Sequence, residues 1–374
     1  MKKIFLSSKL FKVLGMIIIS ILFIFLIVFA FLNLWIPFGG TVTKEDRNDY
    51  QNRSNNYKNG KFYNENNFQK IYSNGVNNFV SKKRSVPIDE IPTMKPVFLS
   101  DPSKEELNIT WFGHSSLLLQ MHGMNILIDP VFSDYTSPIS FIGPSRFSKL
   151  PIELKDLPDI DIVIISHDHY DHLDYETIKL IDKKVDKYVV PLGVENHLER
   201  WKVDNNKIIN MSWWEEIEIN GLTIGCTPSR HYSTRNFVLD SNDTLWASWV
   251  LIDEYHKVYE SGDTGYDNHF KEIFEKYGEF DLSLLDSGQY DFRWKSTHMN
   301  PEEAVQAGKD LKSKVIMPIH WGAFKLANHP WDDPVERFSK ESEKQNIKYI
   351  TPRIGQTINY VSNMDTDKWW INIK

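Results

Sequence analysis

The stretch DIVIISHDHYDHLD, Asp161–Asp174, sets a β-branched apolar run directly against three histidines and two aspartates within His167–His172. A short, fully apolar run of this kind reads as a buried strand. Polar side chains crowded at its end are costly to bury unless a partner satisfies them. In an extended segment residues i and i+2 point to the same side, so the imidazoles of His167 and His169 can meet one ion. Asp171 and His172 fall where the chain turns toward a helix beginning near Asp174, and can face a second ion beside the first. The 374 residues include only 12 histidines, so three within six positions is a concentration that a solvated loop does not explain. Imidazole and carboxylate without thiolate suit Zn2+ and also accept Mn2+ or Fe2+. The single cysteine, Cys226, excludes both a Cys-rich zinc site and an intrachain disulfide.

Two ions need more ligands than one loop supplies. His231 follows TIGCTPSR, Asp263 lies in KVYESGDTGY, and His320 ends KVIMPIHWG. Each stands just past a strand-like run. Gly262 and Gly265 around Asp263 permit close backbone approach.

Further strand-like runs are KYVVP, WEEIEINGLTIGCTP and TLWASWVLI, and LNITWFGHSSLLLQMHGMNILIDP reads as two strands joined by a turn at His122-Gly123. NPEEAVQAGKDL reads as a helix with Asn300 as N-cap, Pro301 at the first position and acids in the first turn. Strands in two batches, each accompanied by helices, suggest a layered α/β sandwich. Trp213-Trp214 and Trp369-Trp370 read as packing.

Residues 13–36 carry no charge and are long enough to cross a bilayer core of roughly 30 Å. The run is longer than the apolar core of a signal peptide, and no small-residue cleavage site follows it. It is expected to be an uncleaved transmembrane helix with Trp35 at its interfacial end. Lys2, Lys3, Lys9 and Lys12 precede it closely, whereas Lys44 and Arg47 follow after a gap. The positive-inside rule then places residues 1–12 in the cytoplasm and the bulk of the chain outside. Residues 37–105 are expected to form a juxtamembrane linker. Its part over 41–80, rich in Asn, Lys and Tyr, reads as a tether or a surface-wrapped segment, and SVPIDEIPTMKP as extended chain. Residues 106–374 then form the catalytic domain. Net charge is −7, which excludes a broad nucleic-acid-binding surface.

HDHYDH, with SGDTGY and PIHWG downstream, resembles the metallo-β-lactamase superfamily of αββα hydrolases. The ordered set TWFGHSSLLLQ, ILIDPVFSD, SHDHYDHLD, TPSRHYSTR, LWASWV, SGDTGY, HMNPEEAV and PIHWGAF is similar to the N-acyl-phosphatidylethanolamine phospholipase D branch and its bacterial relatives, from about Phe62 to about Gly355. The apolar N-terminal run lies outside this likeness. The resemblance implies a four-layer αββα sandwich and two zinc ions per chain. His167, His169 and His231 would hold the first ion, Asp171, His172 and His320 the second, and Asp263 would bridge them. Asp171 and Asp263 then count among the catalytic groups, with a hydroxide between the ions attacking phosphorus. His298, just before the NPEEA helix, is a candidate proton donor to the leaving alcohol. Asp129 is expected to orient a ligating histidine and His114 to line the site. Gln289, Tyr290 and Trp294 are candidates for substrate contact.

The favoured function is a membrane-anchored, zinc-dependent phosphodiesterase of the phospholipase D type, acting on N-acyl-phosphatidylethanolamine-like lipids. A lactonase or sugar-phosphate lactonase on the same scaffold is the alternative. A non-catalytic metal-binding envelope protein is opposed by the complete set of seven ligands. The resemblance leaves room for a homodimer, and nothing in the sequence marks an interface.

Overall fold

The computed structural model describes residues 8–66, 85–236 and 240–374. Lys2 and Lys3 of the N-terminal tail and positions 67–80 of the Asn-rich segment therefore lie outside the described residues.

Two seven-stranded mixed sheets face each other. The first runs Thr357–Asn359, Leu107–Trp111, Leu117–Met121, Met124–Ile128, Ile160–Ile164, Val185–Pro191, Ile208–Met211, turning from antiparallel to parallel after Met124–Ile128. The second runs Lys348–Tyr349, Val315–Ile319, Leu282–Asp286, Lys257–Glu260, Ser248–Ile252, Leu222–Thr227, Glu216–Ile219. Its strands from Lys257–Glu260 to Lys348–Tyr349 are mutually parallel. Parallel strands covered on both faces must be apolar on both, which is why DIVII does not alternate. Ile162 and Ile164 point into the core between the sheets, while Val163 and Ile165 meet the helices outside.

Helices are α1 (Ser8–Leu34), α2 (Lys44–Arg53), α3 (Tyr175–Ile181), α4 (Glu195–Arg200), α5 (His269–Tyr277), α6 (Pro301–Asp310) and α7 (Asp333–Gln345). Ile178, Ile181 and Leu198 of α3 and α4 cover the outer face of the first sheet. Ile273, Val305 and Phe338 of α5, α6 and α7 cover that of the second. The result is the expected four-layer αββα sandwich. α6 starts as its sequence predicts: Asn300 and Glu303 form a reciprocal capping box with Pro301 in the first turn.

Three readings need correction. LNITWFGHSSLLLQM is two strands, so that region holds three in all, because the chain breaks at Gly113 (φ +89°) and His114 (φ +55°). α1 stops at Leu34 rather than continuing to residue 36: Trp35 is extended (ψ 110°) and Ile36–Phe38 form a separate 3-10 turn, and Pro37 has no N–H to continue the α-helical ladder. Between 41 and 66 the chain is no loose tether. Thr43 and Asp46 cap α2, and Tyr50, Tyr57 and Phe62 are buried in the same core as the two sheets. Trp369 and Trp370 also pack there, against Trp321.

Candidate metal centre

Every candidate side chain sits at one end of the sandwich, past the C-terminal ends of strands. Asp129 follows Met124–Ile128, His167 follows Ile160–Ile164, His231 follows Leu222–Thr227, Asp263 follows Lys257–Glu260, and His320 follows Val315–Ile319. Several stand in left-handed backbone, with φ of +40° at Asp129 and +67° at His320, a strain of about 1–3 kcal/mol for each non-glycine residue. Main-chain bonds between the sheets hold it: His114 N–H donates to Trp321 O at 2.7 Å, and His320 N–H to His114 O at 3.0 Å. Gly288 fits here because a Cβ would lie 1.8 Å from His320 O.

Two groups of ligand atoms converge. In the first, His167 Nε2 lies 2.9 Å from His169 Nδ1, and His231 Nε2 lies 3.2 Å from the same atom. Asp263 Oδ2 is 3.8 Å from His167 Nε2 and 3.8 Å from His231 Nε2. Asp168, between the two histidines, faces the other way and accepts from Thr234 N–H and Thr244 Oγ1, as alternation in an extended segment requires. In the second group, Asp171 Oδ2 meets His114 Nε2 at 2.8 Å and His320 Nε2 at 3.2 Å. His172 Nε2 lies 3.6 Å from Asp171 Oδ2 and 3.2 Å from Asp263 Oδ2. Asp263 thus stands between both groups.

The outer ring nitrogens show which tautomers face inward. His231 Nδ1–H donates to Thr297 O at 3.0 Å, so Nε2 presents its lone pair to the first group. His172 Nδ1 is held by Asp129 Oδ2 at 2.7 Å, and its Nε2 is buried with no hydrogen-bond partner. Asp129 also accepts from Ser166 N–H and Oγ. Imidazole nitrogens and carboxylate oxygens that converge in this way form a donor set that divalent cations fit, an ion taking the place of any proton on the inward nitrogens. Burial drives the His167 and His231 imidazoles well below their usual pKa, so they are neutral, the form that binds metal. Burial also brings His114 down to about 3, and this neutral ring donates from Nε2 to Asp171. Burial works to raise Asp171 and Asp263, but the adjoining histidine rings, His172 foremost, hold both carboxyls well below the usual range.

Asp286, at the end of Leu282–Asp286, was not among the sequence candidates. Its Oδ1 lies 3.2 Å from His320 Nδ1 and its Oδ2 3.1 Å from His298 Nδ1. The signal was present, since LSLLD is another carboxylate at the end of an apolar run, the pattern that marked Asp263. His298 stacks on His320 with ring centroids 5.1 Å apart. It lines, with His169, Asp171 and His320, a cleft of about 400 Å³ walled by Tyr232, Trp294, Leu326 and Pro138. Gln289 borders the cleft, but its amide is taken up by the loop beyond His320: Oε1 accepts from Leu326 and Ala327 N–H, and Nε2 donates to Phe324 O. Tyr290 turns away; its hydroxyl donates to Asp333 and its ring stacks on His329. A cavity of about 530 Å³ beside Arg53, Tyr63 and Trp214 has no histidine in its lining.

The sequence matches the family model described as a beta-lactamase superfamily domain over residues 124–321. The chain belongs to the metallo-β-lactamase superfamily. An uncharacterized protein of Mycobacterium tuberculosis is 42% identical over 291 residues, 76% of this chain and 77% of that protein. The N-acyl-phosphatidylethanolamine-hydrolyzing phospholipase D 1 of Caenorhabditis elegans is 36% identical over 271 residues, 68% of this chain and 76% of that enzyme. Among solved structures, Igni18, a metallo hydrolase from Ignicoccus hospitalis, superposes with a TM-score of 0.52 at 24% identity, covering 68% of this chain and 98% of that one. This superfamily member is a metal-dependent hydrolase, and its fold implies divalent metal ions at the His/Asp clusters.

Proposed function

We propose that this superfamily member is a membrane-anchored phosphodiesterase of the phospholipase D type, acting on N-acyl-phosphatidylethanolamine-like lipids with two zinc ions. The observation that carries the reading is the pair of His/Asp clusters joined by Asp263 under an open cleft, in a chain similar to the Caenorhabditis elegans enzyme. His167, His169 and His231 would hold one ion, Asp171, His172 and His320 the other, with Asp263 shared. Bound there, the ions supply Lewis acidity and an activated water at neutral pH.

The remaining work falls to the chain. Asp129 and Thr297 O orient the rings of His172 and His231 so that each turns Nε2 toward its cluster. His114 holds Asp171 in place. To pass a proton to the leaving alcohol as the P–O bond breaks, His298 needs a proton on Nε2 besides the Nδ1 proton that it gives to Asp286. α1 is apolar over Phe11–Leu34, with mean hydropathy 3.2, and keeps the cleft at a lipid surface. Lys2, Lys3, Lys9 and Lys12, ahead of the apolar run of α1, favour a cytoplasmic N-terminus and an extracytoplasmic cleft.

The test is hydrolysis of N-acyl-phosphatidylethanolamine in mixed micelles by zinc-loaded full chain. N-acylethanolamine and phosphatidic acid should appear and should vanish with a chelator. The protein should carry two ions, falling to one in His320→Ala. An inactive, fully loaded enzyme that opens lactones instead would replace this substrate class, and full occupancy in His320→Ala would remove the second site.

A further inference from the structure

The anchor does not leave the domain through a free linker. Leu32 O and Asn33 O accept from Asn236 Nδ2 and Arg200 Nη2, each at 3.1 Å. Trp35 Nε1 donates to Pro138 O at 2.6 Å, Trp201 Nε1 to Ile36 O at 2.9 Å, and Arg235 Nε to Pro37 O at 3.0 Å. Gly39 (φ +83°) lies against His197 so closely that a Cβ would fall 2.1 Å from its Nδ1. Arg235 links this dock to the site: its Nη1 donates to Asp168 O at 2.7 Å and to Leu173 O at 2.8 Å, on either side of the metal-binding loop. The end of α1 is therefore fixed relative to the cleft.

Pro138 belongs to a loop, residues 135–145, that carries no charge. The loop is closed by Thr136 N–H on Pro144 O at 3.1 Å and by a bridge between Tyr135 and Ser145. At its tip Phe141 is 72% and Ile142 56% exposed, an expensive way to present two large apolar side chains to water. α1 has 27 residues, about 40 Å at 1.5 Å per residue, against a bilayer core of roughly 30 Å. Trp35 at its end marks the interfacial level. Its bond to Pro138 sets the loop at that level, and three residues of chain carry Phe141 at most about 10 Å from there. Pro138, Tyr170 and Arg235 line both the groove beside Trp35 and the catalytic cleft.

We infer that the tip Phe141-Ile142 is a second membrane contact, seated among lipid headgroups beside the end of α1, which turns the mouth of the catalytic cleft toward the bilayer. The occupant of this surface is the lipid bilayer. The inference rests on the anchor and lipid-substrate reading above. A rigid anchor and an apolar tip on one side of the cleft define a plane, where a single helix would leave the domain free to rotate about its axis.

The full chain in phosphatidylcholine–phosphatidylethanolamine vesicles provides the test. Cys226 is buried, so Ile142→Cys adds one reachable thiol for an environment-sensitive fluorophore. Val361→Cys is the control, because Asn359 pairs with Asn108 at the end of the sheet away from His114. Emission at 142 should shift to the blue and be quenched by spin-labelled lipid, while emission at 361 should not. Phe141→Asp combined with Ile142→Asp should lower hydrolysis of vesicle-borne lipid at least about tenfold and leave a soluble phosphodiester unaffected. Equal water exposure at 142 and 361, or unchanged vesicle activity in the double variant, overturns the inference. A wild-type chain inactive on both substrates would sink the phosphodiesterase reading alone, since the fluorophore still decides the contact. Release of the wild-type chain by alkaline carbonate would sink anchor and inference together.

Discussion

Asp286 serves two rings at once, His320 through Oδ1 and His298 through Oδ2, and also accepts from Thr264 N–H at 3.2 Å. It is fully buried, so losing its charge leaves three donors competing for a weaker acceptor. Partners of this kind orient metal-binding imidazoles, and their loss costs about 10–100-fold in metal affinity or activity. Asp286→Asn should therefore release one ion more readily, with the other held as before, and should slow turnover beyond that loss because His298 is also unmoored. Chelator competition and kcat at saturating metal separate the two effects. Unchanged affinity and kcat would demote Asp286 to packing. At this scale the sequence exposed the residues that cluster in one run, His167 to His172, through the crowding of His and Asp past a strand, the i, i+2 spacing of His167 and His169, and the turn at Asp171-His172. Asp286 stayed hidden because a lone carboxylate after LSLL looks like any strand end until the fold brings His298 and His320 beside it. Tyr290 shows the converse: its neighbour Gln289, in left-handed backbone at φ +52°, reaches the loop over the cleft, whereas the Tyr290 hydroxyl turns to Asp333.

Strands and helices with one strong local signal were legible, and those made by contacts were not. DIVII and NPEEAVQAGKDL carry their own periodicity and caps. α2, KEDRNDYQNR, has no apolar face for a pattern to find, and it is held by single long-range contacts. Arg53 pairs with Glu215 at 2.7 Å, and the Tyr50 hydroxyl donates to Glu195 Oε1 at 2.6 Å. Glu195 Oε2 accepts from Gly193 N–H at 2.6 Å, yet burial raises its carboxyl to about 7. Because the folded chain then binds this proton more tightly than the unfolded chain, the contribution is present in full below about pH 4.5 and is lost as pH rises through about 7. At about 1.4 kcal/mol per pKa unit it amounts to roughly 3 kcal/mol at most. Glu195→Gln, which cannot titrate, should show no such term. The Tm of the wild type relative to Glu195→Gln should therefore rise as pH falls from 8 to 5 in detergent. Parallel melting profiles across that window would show that Glu195 stays ionised.

For the whole molecule, the question is where the folding unit begins. The strand pattern places the start of the catalytic domain near residue 106, but the core between the sheets continues upstream. Tyr50, Tyr57 and Phe62 pack on one another within that core, and Phe38 is buried as well. Burying one such side chain is worth about 1.5–3 kcal/mol, so the four together approach roughly 6–12 kcal/mol, an upper estimate against an unfolded chain that is itself partly collapsed. That is comparable with the whole stability of a typical domain, about 5–15 kcal/mol. α1 is different in kind: the domain buries none of its most apolar window, and its length and composition would let it cross a membrane. A chain begun at Ile36 should stay in solution without detergent and melt cooperatively, because its loss is confined to the hydrogen bonds of residues 32–35 and the edge packing of Phe31 on Phe38. A chain begun at Ser85 lacks all four aromatic residues and α2, and should fail to melt cooperatively or should aggregate on expression. Calorimetry of the two side by side decides it. A Ser85 chain with the Tm of the Ile36 chain would mean that the upstream segment merely lies on the sandwich. The expected loss would make residues 36–66 part of the domain that holds the metal centre, so that the chain leaving α1 enters the fold at its core rather than running along its edge.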